Sequence, residues 1–207
     1  MSDLDTFLWL IPFLLASLVL HELAHALVAT KLGDPTPREH GRLTLNPISH
    51  LDPIGTLMFA VTYFTTGLMF GWARPVLVQP GYFRRPKEGM ALVAAAGPAT
   101  NFVLALIAIA YLVHGNPEGR WIDVAFQAFT VNIVLGIFNL LPIPPLDGSR
   151  IVGAFLPDRA YASWSSLDQY GIFALFGIII LFQSEFFTLM EDAYTETAQF
   201  MITIVGG

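Results

Sequence analysis

Residues 7–30, FLWLIPFLLASLVLHELAHALVAT, decide how this chain folds. Apart from His21, Glu22 and His25 the stretch is apolar or small, and about 20 such residues, rising 1.5 Å each, cross the hydrocarbon of a bilayer as a helix. Pro12 is tolerable there, since a chain in lipid has few alternatives to a helix. Gly33, Asp34, Pro35 and Pro37 then stop it. The polar residues carry their own pattern. In His21-Glu22-Leu23-Ala24-His25 two imidazoles four apart lie on one helical face, with a carboxylate beside them. This is H-E-x-x-H on a helix, in which the histidines hold one Zn²⁺ and the glutamate is the general base. The alternative is a packed polar cluster or proton relay, which would also need inward-facing partners on other helices.

The rest of the composition agrees with a bilayer. Of 207 residues, 55% are hydrophobic and 13% charged, with a mean hydropathy of +0.62, a balance that a soluble domain would not keep in solution. The length suits one membrane-embedded domain, 1–207, of several helices. A net charge of −6 argues against nucleic-acid binding, which needs clustered Lys and Arg in excess. With no cysteine, any metal ligand is histidine or carboxylate. The N-terminus lacks the basic region of a signal peptide, so the first helix is expected to be retained.

Residues 89–113 and 121–141 are two further spans, separated by the polar turn 114–120 and read as a helical hairpin. A fourth, shorter span runs over 168–183, and the tail 186–205 mixes Phe, Met and Ile with Glu191, Asp192 and Glu196, so that it is amphipathic or marginally spanning. The segment 51–70 is apolar but rich in Thr, Phe and Val, with Pro53, Gly55 and Gly67. It could cross, or dip in and return as a re-entrant segment, a β-hairpin being one form. If it returns, Lys31, Arg38, Arg42, Arg74, Arg84, Arg85, Lys87, Arg150 and Arg159 share one face, nine of the ten basic residues, with Arg120 opposite. Basic residues collect on the cytoplasmic side. The re-entrant reading is therefore preferred, and it places His21 and His25 toward the cytoplasmic third of the membrane.

A catalytic zinc takes three protein ligands and an open position. Asp147, in Asn139-LLPIPPLD-Gly148, follows the third span where prolines break the helix, and falls on the same side of the membrane as His25. Asp-Gly is equally a common turn. His50 is the other plausible ligand, although Asn46-Pro47 and Asp52-Pro53 around it make an ordinary loop histidine the plainer reading. It is also a candidate gate, covering the open position at rest. Asn101 and Asn132 lie inside apolar spans and need partners, which helix-to-helix bonding would supply. Asn139 could hold a substrate backbone or an oxyanion.

In order along the chain, His21-ELA-His25, Leu32-GDP-Thr36, Gly41-RLTLN-Pro47, His50-LDPI-Gly55, Gly71-WARP-Val76, Ala96-GPAT-Asn101 and Asn139-LLPIPPLD-Gly148 closely resemble the site-2 protease family of intramembrane zinc metalloproteases, in particular its small members without PDZ or CBS domains. The resemblance implies an all-α polytopic core of three helices with further C-terminal helices and one Zn²⁺ per chain. It makes Asp147 the third ligand, Glu22 the base that activates a zinc-bound water, and Asn139 a substrate contact. Asn101 takes the Gly-Pro-x-x-Asn position, with a structural or substrate-positioning role. Ser149 departs from the family pattern, where a second glycine is expected. The implied reaction is hydrolysis of peptide bonds within or near a transmembrane segment of another protein. The implied setting is the lipid bilayer of a prokaryotic cell, with the site facing the cytoplasm and homo-oligomerisation left open. A substrate helix must unwind to expose its carbonyls, and 51–70 is the expected strand-pairing surface.

Overall fold

The computed structural model describes residues 3–66 and 71–206, and among them the fold is all-helical. Three long apolar helices form its frame: α1 (Asp3–Lys31), α4 (Pro86–His114) and α5 (Arg120–Leu140). Each is long and apolar enough to cross a membrane. Between α1 and α4 lie the single turn α2 (Thr36–Glu39) and the short α3 (Pro53–Thr66), and after α5 come α6 (Asp147–Gly153), α7 (Asp158–Ser165), α8 (Asp168–Leu181) and α9 (Gln183–Gly206).

α4 is the central element. Ala29 of α1 packs with Met90 and Val93 of α4, while His25 and His21 bond further along it to Val93 and Asn101, so α1 and α4 run antiparallel. Small residues let the helices approach closely. A Cβ on Gly136 of α5 would stand 2.8 Å from the Phe102 ring. Outside this hairpin α9 lies along both helices, with Ala198 and Met201 in one buried cluster with Ala105, Ala108, Ile109, Phe129 and Ile133. The acidic tail is thus a packed helix of the bundle.

Two expectations are refined. The segment 51–70, read as re-entrant with a β-hairpin as one form, is helical over Pro53–Thr66, and residues 67–70 lie outside the described residues. The local chemistry explains the helix. Asp52 caps it, its Oδ1 accepting from the backbone N–H groups of Ile54 and Gly55, and the hydroxyls of Thr56, Thr62 and Thr65 donate to carbonyls four residues back, which satisfies them without a strand partner. The excursion nevertheless closes on itself, since Leu51 and Ala73 form an isolated antiparallel bridge. The stretch 168–183 is helical over Asp168–Leu181, too short to cross by itself, and is bent by 69° from α7, so that a fourth span would take α7 and α8 together as one broken helix.

Candidate metal centre

α1 presents His21 and His25 toward α4, and the end of α5 brings α6 across to the same point. The loop 141–146 turns back tightly enough that a Cβ on Gly148 would fall 2.1 Å from the Leu140 carbonyl oxygen. That turn aims Asp147, the first residue of α6, at the two imidazoles. Ser149, standing where a glycine was expected, is buried and donates its hydroxyl to the Leu146 carbonyl, closing the same turn.

Three donor atoms converge. The Nε2 atoms of His21 and His25 are 3.0 Å apart, and Asp147 Oδ2 lies 3.2 Å from the first and 3.3 Å from the second. A tetrahedral zinc with ligands at about 2.0–2.2 Å has edges of about 3.3–3.6 Å, so the three donors need to part by only a few tenths of an ångström to take one ion. The protonation pattern fits as well. His21 Nδ1 lies 2.6 Å from Asn101 Oδ1, and His25 Nδ1 lies 2.7 Å from the Val93 carbonyl oxygen. Each Nδ1 therefore carries its proton as a donor, and each Nε2 turns a bare lone pair on the third oxygen. Asp147 Oδ2 is buried without a hydrogen-bond partner. Three lone pairs facing one point repel unless a cation lies between them. No other group of three potential ligands occurs among the described residues.

α4 shapes the site from behind. Asn101 is fully buried; its amide donates to Asn132 Oδ1 of α5 at 2.9 Å, and Asn132 in turn donates to the Ala128 carbonyl. Its side chain thus bonds His21 on one side and Asn132 on the other, joining the helices, and does not line the cavity in front of the centre. A Cβ on Gly97 would lie 2.5 Å from both imidazole Nε2 atoms. Gly97, Asn132 and the Val93 carbonyl carry no signal in the sequence as parts of the site: Asn132 reads only as a polar residue needing a partner, and Gly97 only as a glycine in an apolar helix.

In front of the centre is a cavity of about 370 Å³, lined among others by Glu22, Asp147, Asn139, Val76 and Arg150. Glu22 Oε2 accepts a 3.3 Å hydrogen bond from the Val76 backbone N–H. Asn139 donates to the Leu135 carbonyl of its own helix and borders the same cavity. His50 is placed elsewhere. It is fully buried, with Nε2 2.9 Å from the Thr44 carbonyl oxygen, and neither joins the converging donors nor lines the cavity. The gating ligand expected from its sequence position is not formed, because its ring is held in the connector beneath the 51–73 excursion.

The model of peptidase family M50 matches residues 114–184, the part carrying Asn139 and Asp147. YwhC of Bacillus subtilis, named as a candidate zinc metalloprotease, is 42% identical over 185 residues, covering 81% of this chain and 82% of the relative. Rip2 of Mycobacterium tuberculosis, named likewise, is 31% identical over 179 residues, 85% of this chain and 67% of its own. The zinc metalloprotease MJ0392 of Methanocaldococcus jannaschii is 25% identical over 157 residues, 75% of this chain and 37% of its own. No solved structure matches the chain.

Proposed function

The chain belongs to peptidase family M50, the site-2 protease family, as a zinc metalloendopeptidase of the membrane, and from that premise we propose that it cleaves peptide bonds within or near transmembrane segments of other membrane proteins. The observation that carries the proposal is the convergence of three bare donor atoms at the edge of a cavity that Glu22 shares. His21, His25 and Asp147 hold the zinc. When bound, the zinc supplies a Lewis acid that polarises the scissile carbonyl and acidifies water.

The remaining steps belong to the chain's own groups. Glu22 takes a proton from the attacking water on a carboxylate oxygen and passes it to the leaving amine. The Val76 N–H holds that carboxylate at the cavity wall. Asn139, whose side chain borders the cavity from the last turn of α5, steadies the substrate backbone or the developing oxyanion. Asn101 is a positioning residue that fixes the ring of His21. With 53–66 helical, the non-helical stretch Gly71 to Gln79, six of whose residues border the cavity, replaces it as the surface on which an unwound substrate segment pairs.

The site faces the cytoplasm in this reading. Nine of the ten basic residues fall on the side where α1 ends and α4 begins, and the Leu51–Ala73 bridge supports an excursion that returns to that side. α3, with 14 residues and a length of about 21 Å, is too short to cross about 30 Å of hydrocarbon. Relatives in Bacillus and Mycobacterium favour a bacterial cell membrane as the setting.

The test is Glu22→Gln in reconstituted protein with a transmembrane reporter. One zinc per chain is expected to remain while cleavage falls by at least ~10²-fold, the scale of a lost general base. Cleavage at the wild-type rate with zinc retained would sink the mechanism.

A further inference from the structure

The connector between α1 and α3 holds three buried ionisable side chains that the chemistry above does not use: Asp34, Arg42 and His50. Each is tied to the 51–79 segment or to its own connector. Asp34 Oδ2 accepts from the Gln79 backbone N–H at 2.7 Å, and its Oδ1 from that of Thr36 at 2.9 Å. His50 bonds Thr44 through its ring, and its own carbonyl accepts from the Arg74 N–H at 2.8 Å. Arg42, only 4% exposed, donates from one guanidinium nitrogen to the Ser49 carbonyl, just before the excursion, and to the Arg74 carbonyl, just after it, the latter at 3.4 Å.

The return stretch is therefore anchored at two points, Arg74 and Gln79, with no helix between them. The middle of that run is Val76, whose N–H bonds Glu22. A short segment fixed at both ends has little freedom in its centre, since each ordered residue has already lost its backbone entropy. Without Arg42 the first anchor would keep the His50 carbonyl on the Arg74 N–H but lose the side chain that ties the Arg74 carbonyl to Ser49, leaving the stretch freer to shift against Glu22.

We propose that Arg42 is a positioning residue for proteolysis: by bridging the two ends of the 51–73 excursion it sets the position of the stretch Arg74–Gln79 over the cavity, and so the register in which a substrate segment lies against Glu22. Buried arginine suits the task because its long side chain carries two N–H donors on one terminal nitrogen and so can reach two carbonyls at once, where a neutral amide of shorter reach cannot. The proposal rests on the reading that this chain cleaves peptide bonds at the metal centre.

The chain has no cysteine, which permits a direct test. Leu51 and Ala73 already face each other across the antiparallel bridge, and facing pairs of this kind bring Cβ atoms to about 4.5–5.5 Å, close enough for a disulfide after small adjustment. Four reconstituted proteins are compared: wild type, Arg42→Gln, Leu51→Cys/Ala73→Cys, and the triple variant. Each pair of thiols is oxidised by added diamide, which does not chelate zinc and which takes up the two protons and two electrons released as the S–S bond forms. Each protein is read for zinc content, KM, kcat and the bond cleaved in a transmembrane reporter.

Arg42→Gln is expected to keep one zinc per chain, to raise KM at least ~5-fold with a smaller change in kcat, and to scatter cleavage over neighbouring bonds. The oxidised triple variant is expected to return to within ~2-fold of the oxidised double variant and to one bond, and reduction is expected to abolish the return. Unchanged kinetics in Arg42→Gln overturns the proposal. So does a defect that the disulfide does not relieve, which would assign Arg42 to something other than bridging the two ends. Failure of wild-type protein with full zinc to cut the reporter would instead overturn the protease reading, leaving the two failures distinct.

Discussion

Which nitrogen of each imidazole carries the proton decides whether His21 and His25 can face one ion. The acceptors at Asn101 Oδ1 and at the Val93 carbonyl settle it, since each takes the Nδ1 proton and leaves Nε2 bare. His21, Glu22 and His25 were legible in the sequence because residue type and a spacing of four suffice to place them on one helical face. Asp147 needed its ordered motif, and its aim at the histidines follows from a tight turn after α5 that no periodicity reveals. Asn101 was legible as a polar residue needing a partner, but the partner is chosen by the register of α1 against α4, which local sequence does not encode. Gly97 was silent for the same reason. Its lack of a side chain matters only because both imidazoles rest against that point, with 2.5 Å available to a Cβ. Gly97→Ala is therefore expected to displace one or both rings and weaken zinc binding by about 10-fold or more, the scale of a disturbed ligand shell. Zinc content after dialysis against graded zinc buffers checks this, and an affinity equal to wild type would show that the rings are free to shift.

At the scale of elements, the three long helices follow from composition alone, and α3 shows where that reading fails. Thr, Val and Phe favour strands in water, where a pleated surface packs them, yet propensity is a weak prior. Asp52 and the back-bonded threonines satisfy the helical alternative locally. α3 then seats its glycine against the return stretch: a Cβ on Gly55 would come within 2.1 Å of the Trp72 carbonyl oxygen. Gly55→Ala is expected to push the two apart and reduce cleavage at least ~10-fold, with zinc retained because none of the ligands moves. Loss of zinc along with activity would show that α3 supports the metal centre itself. A second contact between elements has a pH signature. Lys87, at the start of α4, donates to the Leu156 carbonyl and meets Asp158 Oδ1 at 2.8 Å, tying α4 to the start of α7. That hydrogen bond and the lysine charge hold the Asp158 carboxyl below the usual carboxylate range. A lowered folded value means the contact stabilises above that range and is lost as pH falls through the lowered value. Wild type and Asp158→Asn in detergent should thus differ slightly in Tm at pH 7, by an amount that salt reduces because Asp158 is exposed, and converge below about pH 4. A difference persisting at the acid end would rule out the ion pair as its source.

For the whole molecule, the sequence separates what the fold joins. The donors lie on α1 and at the start of α6, 122 residues apart by subtraction of 25 from 147, and both reach the same face of α4. Closing so long a loop costs entropy that grows only slowly with length, while the approach of three lone pairs adds repulsion unless a metal ion or a proton lies between them. A bound zinc removes that repulsion and binds the folded chain in preference to the unfolded one, so it should act as a strut as well as a catalyst. The size follows from mass action: free zinc at about 100 times its Kd stabilises by about 2.7 kcal/mol, which for a domain of this size is about 5–10 °C in Tm. Removal of zinc with a chelator is therefore expected to lower Tm by that amount, and added zinc to restore it. Glu22→Gln should show the same shift, because Glu22 contributes no donor to the cluster. Asp147→Asn should lose most of it, because an amide supplies a weaker neutral oxygen where the carboxylate stood. Thermal unfolding of the three proteins in detergent, with and without chelator, separates these outcomes. A chelator shift absent from wild type would mean that the helices hold the centre preformed without the ion, whereas a shift of equal size in Asp147→Asn would remove Asp147 from the ligand set.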